Sequence, residues 1–297
     1  MANGLRPTKF EEIIGQQEVV KRLRISTVGC KNSGTVLPHV LIDGPPGLGK
    51  TTIASALASE MDVNLYVANA ANLRSVKNVV SYLMRMTKRC VFFIDEIHRL
   101  PKLVEEFLYP VMEDFKFTMV VEKEPEEIEV PAFTLVGATT SGGSLSQPFY
   151  DRFQIKEHLN FYTEDELAKL ARWNADKLGL DISDIDLFEI AKRSKGTPRI
   201  LNGRLQWYKN YKSCMDDNAT VDEIFQLQGI DNNGMDSYDR AYLELLKNNK
   251  GNPLGLKAIS SLTGIAIDTI ENSVEPYLVR KGFVRRTQKG RVLGHIC

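Results

Sequence analysis

The residues with the clearest chemistry run from Gly44 to Thr52, G-P-P-G-L-G-K-T-T. Glycines let a backbone turn sharply enough to aim successive N–H groups at one point, and a following helix adds the positive end of its dipole there. A chain of phosphates fits such a cradle. Lys50 reaches the β- and γ-phosphates and Thr51 gives its hydroxyl to Mg²⁺, with Gly44, Gly47, Leu48, Gly49 and Thr52 around them. The cradle needs a strand before it and a helix after it. His39-Val-Leu-Ile has the composition of the first and Ile53-Ala-Ser-Ala-Leu-Ala that of the second.

A second pair of residues says what the cradle is for. Cys90-Val-Phe-Phe-Ile is an apolar run suited to a strand covered on both faces, and it ends in Asp95-Glu96. Asp95 is placed to hold Mg²⁺, and Glu96 to orient and deprotonate a water attacking the γ-phosphorus. Asp95 follows Lys50 by 45 positions, room for a helix, a short strand at Asn64-Leu-Tyr-Val and a helix carrying Val76, Val79, Val80 and Leu83. A third apolar strand, Phe133-Thr-Leu-Val-Gly-Ala, delivers Thr139 and Thr140 to the same edge, where a hydroxyl can sense the γ-phosphate. Arg152 closes a short helix before the strand Ile155 to Phe161. It reads either as a finger for a neighbouring subunit or as a surface ion pair with Asp151.

The elements that must carry these residues fill a chain of 297, enough for more than one domain. With 43% hydrophobic and 26% charged residues it has the composition of a soluble globular protein. No apolar run is long enough to span a membrane, and no secretory leader precedes the first motif, so a cytoplasmic location is expected. Cys30, Cys90, Cys214 and Cys297 are scattered and are expected to be free thiols. The histidines are isolated, so no metal cluster is expected, and His98 is placed beside the nucleotide.

Thr163-Glu-Asp-Glu166 is a capping box that opens an all-helical stretch to about residue 230. Within it Pro198 opens a helix and holds Arg199 at its start, as a sensor or as a solvent-exposed cation. Asp231-Asn-Asn-Gly-Met reads as a linker. Beyond it come three helices and a hairpin, Phe283 to Leu293, the pattern of a winged helix. The net charge of zero hides two opposed runs. From Arg280 to Arg291 six of twelve residues are basic and none acidic, whereas five of the eight from Glu122 to Glu129 are glutamate. Arg285, Arg286, Lys289 and Arg291 would meet DNA phosphates, a protein-docking role being the other reading.

These residues closely resemble the RuvB family, AAA+ motors that drive branch migration at Holliday junctions. The matches are Leu5-Arg6-Pro7, Ile14-Gly15-Gln16, the cradle, F-I-D-E-I-H-R-L, V-E-E-F-L-Y-P-V-M-E-D-F at Val104 to Phe115, and F-T-L-V-G-A-T-T. They continue with D-R-F, Phe161-Tyr162, G-T-P-R-I, G-L-K, E-P-Y-L-V and G-F-V-R-R-T-Q-K-G-R. Together they span nearly the whole chain.

The resemblance implies an α/β AAA+ P-loop core with a parallel sheet over residues 1–162, a small helical lid over 163–230 and a winged-helix domain over 231–297. It places Leu5, Arg6 and Tyr162 by the adenine, Glu113, Asp114 and Phe115 along the nucleotide pocket, Arg152 as the finger and Arg199 as second sensor. Arg286 and Arg291 fall on the family's DNA-contacting arginines. ATP and Mg²⁺ are the implied cofactors, duplex or four-way junction DNA the substrate, and a hexameric ring the assembly. An ATP-dependent loader or switch acting through a partner protein is the alternative. A binding module without catalysis is disfavoured by the presence of Lys50, Asp95, Glu96, Arg152 and Arg199.

The chain also departs from the family. It starts almost at L-R-P, where the family has a short extension. Ser141 and Tyr150 stand where arginines are usual, and Gln154 replaces a glycine. Met119 to Pro131, in the family a longer hairpin that docks the junction-binding partner RuvA, is short and glutamate-rich, so docking of an ordinary RuvA is not expected and a divergent, phage-type system is an option.

Overall fold

A computed structural model describes residues 5–121, 124–215 and 218–294. Residues up to Tyr162 form one compact unit and those from Thr163 a second.

The first unit is built on α1 (Gln17–Ser33), β1 (Val40–Asp43), α2 (Lys50–Met61), β2 (Leu65–Asn69), α3 (Val76–Leu83) and β3 (Val91–Asp95). It continues with α4 (Lys102–Glu113), the hairpin β4 (Lys116–Val121) and β5 (Glu124–Glu129), then β6 (Thr134–Thr139), α5 (Gln147–Asp151) and β7 (Ile155–His158). Five strands form a parallel sheet in the order β2-β3-β6-β1-β7. β3 and β6 are central, which explains why both are apolar on both faces. Phe92, Phe93 and Phe133 are at most 1% exposed, each burial contributing about 2 kcal/mol. All five carboxyl ends lie along one edge, the edge where parallel α/β sheets bind ligands. Of the acidic run, Glu124 to Glu129 form β5, while Glu122 and Lys123 lie outside the described residues.

The second unit holds α6 (Glu164–Leu178), α7 (Asp184–Lys192), α8 (Pro198–Cys214) and α9 (Val221–Gln226). After these come α10 (Ser237–Asn248), α11 (Leu256–Thr263), α12 (Ile267–Thr269), a π-turn at Ile270–Val274, α13 (Glu275–Arg280) and the antiparallel hairpin β8 (Val284–Thr287) and β9 (Gly290–Leu293). The capping box is formed, with Thr163 Oγ1 accepting from Glu166 N–H at 3.1 Å. The expected linker at 231–235 is a built turn. Asp231 Oδ1 accepts from Asn233 N–H and Met235 N–H, both at 2.9 Å, and Asn232 and Gly234 pack on Arg193. Tyr242, Ile259, Ile270, Val274 and Leu278 make the core of the helices and hairpin beyond it.

Candidate functional site

The carboxyl edge of the sheet gathers the cradle and the acidic pair. Gly47 and Gly49 take the left-handed φ values 81° and 101° that close the loop, and Gly49 caps α2. Lys50, first residue of that helix, is 8% exposed. Its Nζ donates to the carbonyl oxygens of Gly44 at 2.5 Å and Pro45 at 2.9 Å. An ammonium buried at a helix start, among N–H groups, fits an anionic ligand. Thr51 and Thr52 are half-buried on the next positions and Leu48 is fully buried beneath.

Asp95 ends β3 half-buried and accepts Glu96 N–H on Oδ1 at 3.0 Å. Glu96 sits at φ 55°, which turns the chain off the strand, and its carboxylate rests on Arg99 at 3.1 Å. Thr139 is buried, shares a hydrogen bond with His98 Nδ1 at 3.0 Å and accepts Ser141 N–H at 2.9 Å. Thr140, the next residue, is half-buried. Gly44 N–H donates to Thr139 O at 3.2 Å, tying the cradle to β6.

Near the exit of β7, Gln16 bonds Asn160 in both directions, at 2.5 and 3.2 Å, and the Tyr162 ring covers Gly15 so closely that a Cβ there would lie 2.4 Å away. Ile14-Gly15-Gln16 and Tyr162 are thus one structural corner. Leu5 is half-buried and Arg6 exposed at the start of the described chain.

Arg152 lies at the opposite, amino edge. Gln154 Oε1, two residues on, accepts His39 N–H just before β1 at 3.1 Å. The guanidinium pairs with Glu113 at 3.1 Å, donates to Pro148 O at 2.6 Å and stacks 4.2 Å from the centroid of Tyr109; its Nε is buried without a hydrogen-bond partner. Neither alternative read from the pattern anticipated this partner, because Asp151 bonds Gln147 instead. Met112, Glu113, Asp151, Arg152 and Gln154 line a cleft of about 330 Å³.

Glu113, Asp114 and Phe115 are at this amino edge too, so the fold does not bring them to the cradle of their own chain. The reason is α4, which carries the chain from the end of β3 back past the sheet. His39 fixes its end there: Nε2–H donates to Met112 O and Nδ1 accepts Leu135 N–H, both at 2.9 Å. Burial holds that imidazole below its usual pKa. The Phe115 ring packs on Phe133 at 5.9 Å.

In the second unit Pro198 and Arg199 open α8 behind the cap residue Thr197, with Arg199 exposed. On the hairpin, Arg286 faces Arg291 across the strands while Arg285, paired with Val292, lies on the other face. Two like charges opposite each other repel. Glu275, 0% exposed and given no site role by its motif E-P-Y-L-V, resolves this: Arg286 Nε and Arg291 Nε each donate to it at 2.8 Å, and Tyr242 Oη–H donates at 2.7 Å. Burial pushes its pKa up, but the bonds from Arg291 and Tyr242 and the charge of Arg286 outweigh that and hold the carboxyl below its usual range. Lys289 is exposed at the hairpin turn. The one available signal for Glu275 was a glutamate ahead of the apolar stretch in Glu275-Pro-Tyr-Leu-Val.

Among the described residues no cluster of His, Cys, Asp and Glu could hold a metal by itself, and no helix is long and apolar enough to cross a membrane. Cys30, Cys90 and Cys214 are free; Cys297 lies outside the described residues.

Residues 5–159 match the Holliday junction DNA helicase RuvB P-loop domain, residues 162–236 the RuvB AAA lid domain and residues 232–296 the RuvB C-terminal winged helix domain. The Holliday junction branch migration complex subunit RuvB of Rhodopirellula baltica is 42% identical over 97% of this chain and 81% of its own length. The Fusobacterium nucleatum protein of that name is 39% identical over 97% of this chain and 90% of its own. Among solved structures, the Thermotoga maritima RuvB Holliday junction branch migration motor superposes with a TM-score of 0.90 at 38% identity, covering 99% of this chain and 96% of that one. An α/β P-loop core followed by lid and winged-helix segments, matched end to end at this identity, places the chain in the RuvB family.

Proposed function

We propose that this protein is an ATP-hydrolysing motor that moves the branch point of four-way DNA junctions, working as a ring of copies in the cytoplasm. The observation that carries the reading is the split between the two sheet edges: Lys50, Asp95 and Glu96 at one, Arg152 at the other. In a head-to-tail ring the amino edge of one copy meets the carboxyl edge of the next, and a heterologous contact of this kind closes when the rotation allows. A hexamer is the closure that the resemblance favours.

In this reading the loop N–H groups and Lys50 bind the ATP phosphates, and Leu5, Arg6 and Tyr162 the adenine. Thr51 and Asp95 would hold Mg²⁺, which neutralises charge developing on the phosphate oxygens. Glu96 takes a proton from water as the oxygen bonds to the γ-phosphorus, and the bond to the β-bridging oxygen breaks to give ADP and phosphate. Thr140, beside the buried Thr139, senses the γ-phosphate, and Arg199 does so from the lid. Arg152, paired with Glu113, serves the nucleotide of the neighbouring copy, where its guanidinium stabilises the transferring group, and Glu113, Asp114 and Phe115 line that neighbour's pocket from the same edge. Arg286, Arg291, Arg285 and Lys289 grip duplex phosphates, a contact that positions the protein without reading sequence.

One observation favours the loader or switch as a second reading. The hairpin that should dock a junction-binding partner is short and acidic, with Val120 70% and Met119 39% exposed, so recruitment could run through a different protein. Strand displacement on a synthetic four-way junction, with ATP and with or without a RuvA-type protein, separates the two. A motor dissociates the junction in at least one arm, whereas a loader hydrolyses ATP in both and moves no strand in either.

A further inference from the structure

The loop Arg193 to Thr197 leads straight into Pro198 and Arg199, and residues from beyond the 231–235 turn grip it. Lys195, 7% exposed, is ion-paired with the fully buried Asp239 of α10 and, at 3.3 Å, with Asp236. Arg280 Nη2–H donates to Lys195 O at 2.9 Å. The same guanidinium covers Gly196, which takes φ +71°; a Cβ there would lie 2.5 Å from Nη1 and would have to displace it. Gly234 is pressed on Arg193 in the same way, 2.4 Å from its carbonyl oxygen by the same measure.

α13 therefore has a tied residue at each end. Its first, Glu275, holds the two wing arginines, and its last, Arg280, holds the loop before Arg199. Six residues of helix span only about 8 Å. A shift of the α8 start relative to the wing would strip the carbonyl of Lys195 of its donor and leave a buried charge at Lys195 or Asp239 unpaired, a strongly unfavourable state. Motion of one end is thus transmitted to the other.

We infer that Arg280 and Lys195 are positioning residues that lock the start of the Arg199 helix to the DNA-gripping hairpin, so that a nucleotide felt at Arg199 reorients the wing. The inference rests on the reading of Arg199 and the wing arginines given above. Neither residue touches nucleotide or DNA; both act through what they hold.

The test uses the full chain with Arg280→Ala and, as the conservative variant, Arg280→Lys, which keeps a cation within reach of the Lys195 carbonyl. Two readouts are taken: stimulation of ATPase by duplex DNA, and hydrogen exchange on adding the slowly hydrolysed analogue ATPγS with Mg²⁺. In the wild type, protection induced by the analogue at residues 193–199 should extend into 236–239 and 275–280. In Arg280→Ala it should no longer reach 275–280, and duplex stimulation should fall at least about fivefold while affinities for nucleotide and duplex stay within about twofold; Arg280→Lys should restore most of both. Unchanged exchange in α6 shows that the fold persists. Protection that stops at residue 199 in the wild type, or that spreads equally in Arg280→Ala, overturns the lock. A wild type without duplex stimulation would overturn the motor reading alone, because the exchange arm still decides the lock.

Discussion

The two edges of the parallel sheet both gather charged side chains and could hardly be built more differently. The carboxyl edge has a glycine turn, a buried ammonium at a helix start and two acids at a neighbouring strand end. The amino edge carries a guanidinium already paired with Glu113 and stacked on Tyr109. In the proposed reaction the first edge binds and cuts, and the second assists a phosphate held by another copy. On the proposed reading the contrast teaches that a single copy carries one half of the site and that a neighbouring copy supplies the other.

The largest effects should fall on the carboxyl edge. Lys50→Ala removes the charge at the cradle and should abolish ATP binding in equilibrium dialysis, while Glu96→Gln should keep ATP and lose about 10²- to 10⁴-fold in turnover, the range for a lost general base. Retained ATPase in both variants would break the assignment of that edge. The amino edge should behave otherwise: Arg152→Ala keeps nucleotide affinity but loses about 10³-fold or more of the hydrolysis seen under ring-forming conditions.

Smaller effects are expected on the wing. Arg286→Ala combined with Arg291→Ala should weaken duplex binding and lower the salt slope by about 2, from two fewer phosphate contacts. Arg291→Ala by itself should also cost stability, about 3 kcal/mol in a denaturant titration, because Glu275 is fully buried and loses a partner. The depressed pKa of Glu275 gives this a pH signature: the stability it contributes is present above the ordinary carboxylate range and is lost as pH falls below it. In Arg291→Ala that acid-limb loss should shrink. The smallest effect belongs to the hairpin, where Val120→Ser, at a site 70% exposed, should change stability by no more than about 0.5 kcal/mol yet lower the affinity of any protein that docks there.

Much of the carboxyl edge was legible in the sequence because each part is a local motif: a glycine-rich turn between strand and helix, then an apolar strand ending in acids. The parallel sheet followed from the same alternation. What the sequence did not carry was partnership over distance. Glu113 and Arg152 meet only because α4 and α5 pack together, and nothing in their spacing tells which edge they reach. Glu275 lies outside the basic run of residues 280–291, so the composition of that run does not show the carboxylate that two of its arginines share. The 231–235 turn read as a linker because Asp, Asn and Gly mark exposed turns, whereas here their side chains and close backbone packing bind it to Arg193.

The most direct test of the shared site is to mix two inactive variants. Arg152→Ala copies still have Glu96, and Glu96→Gln copies still have Arg152, so a ring assembled from both contains interfaces with one intact residue from each side. Equal mixing should restore ATPase to roughly a quarter of wild type, the fraction of such interfaces in a random head-to-tail ring. A mixture as inactive as either parent, under conditions where rings form, would contradict a site completed by the neighbouring copy.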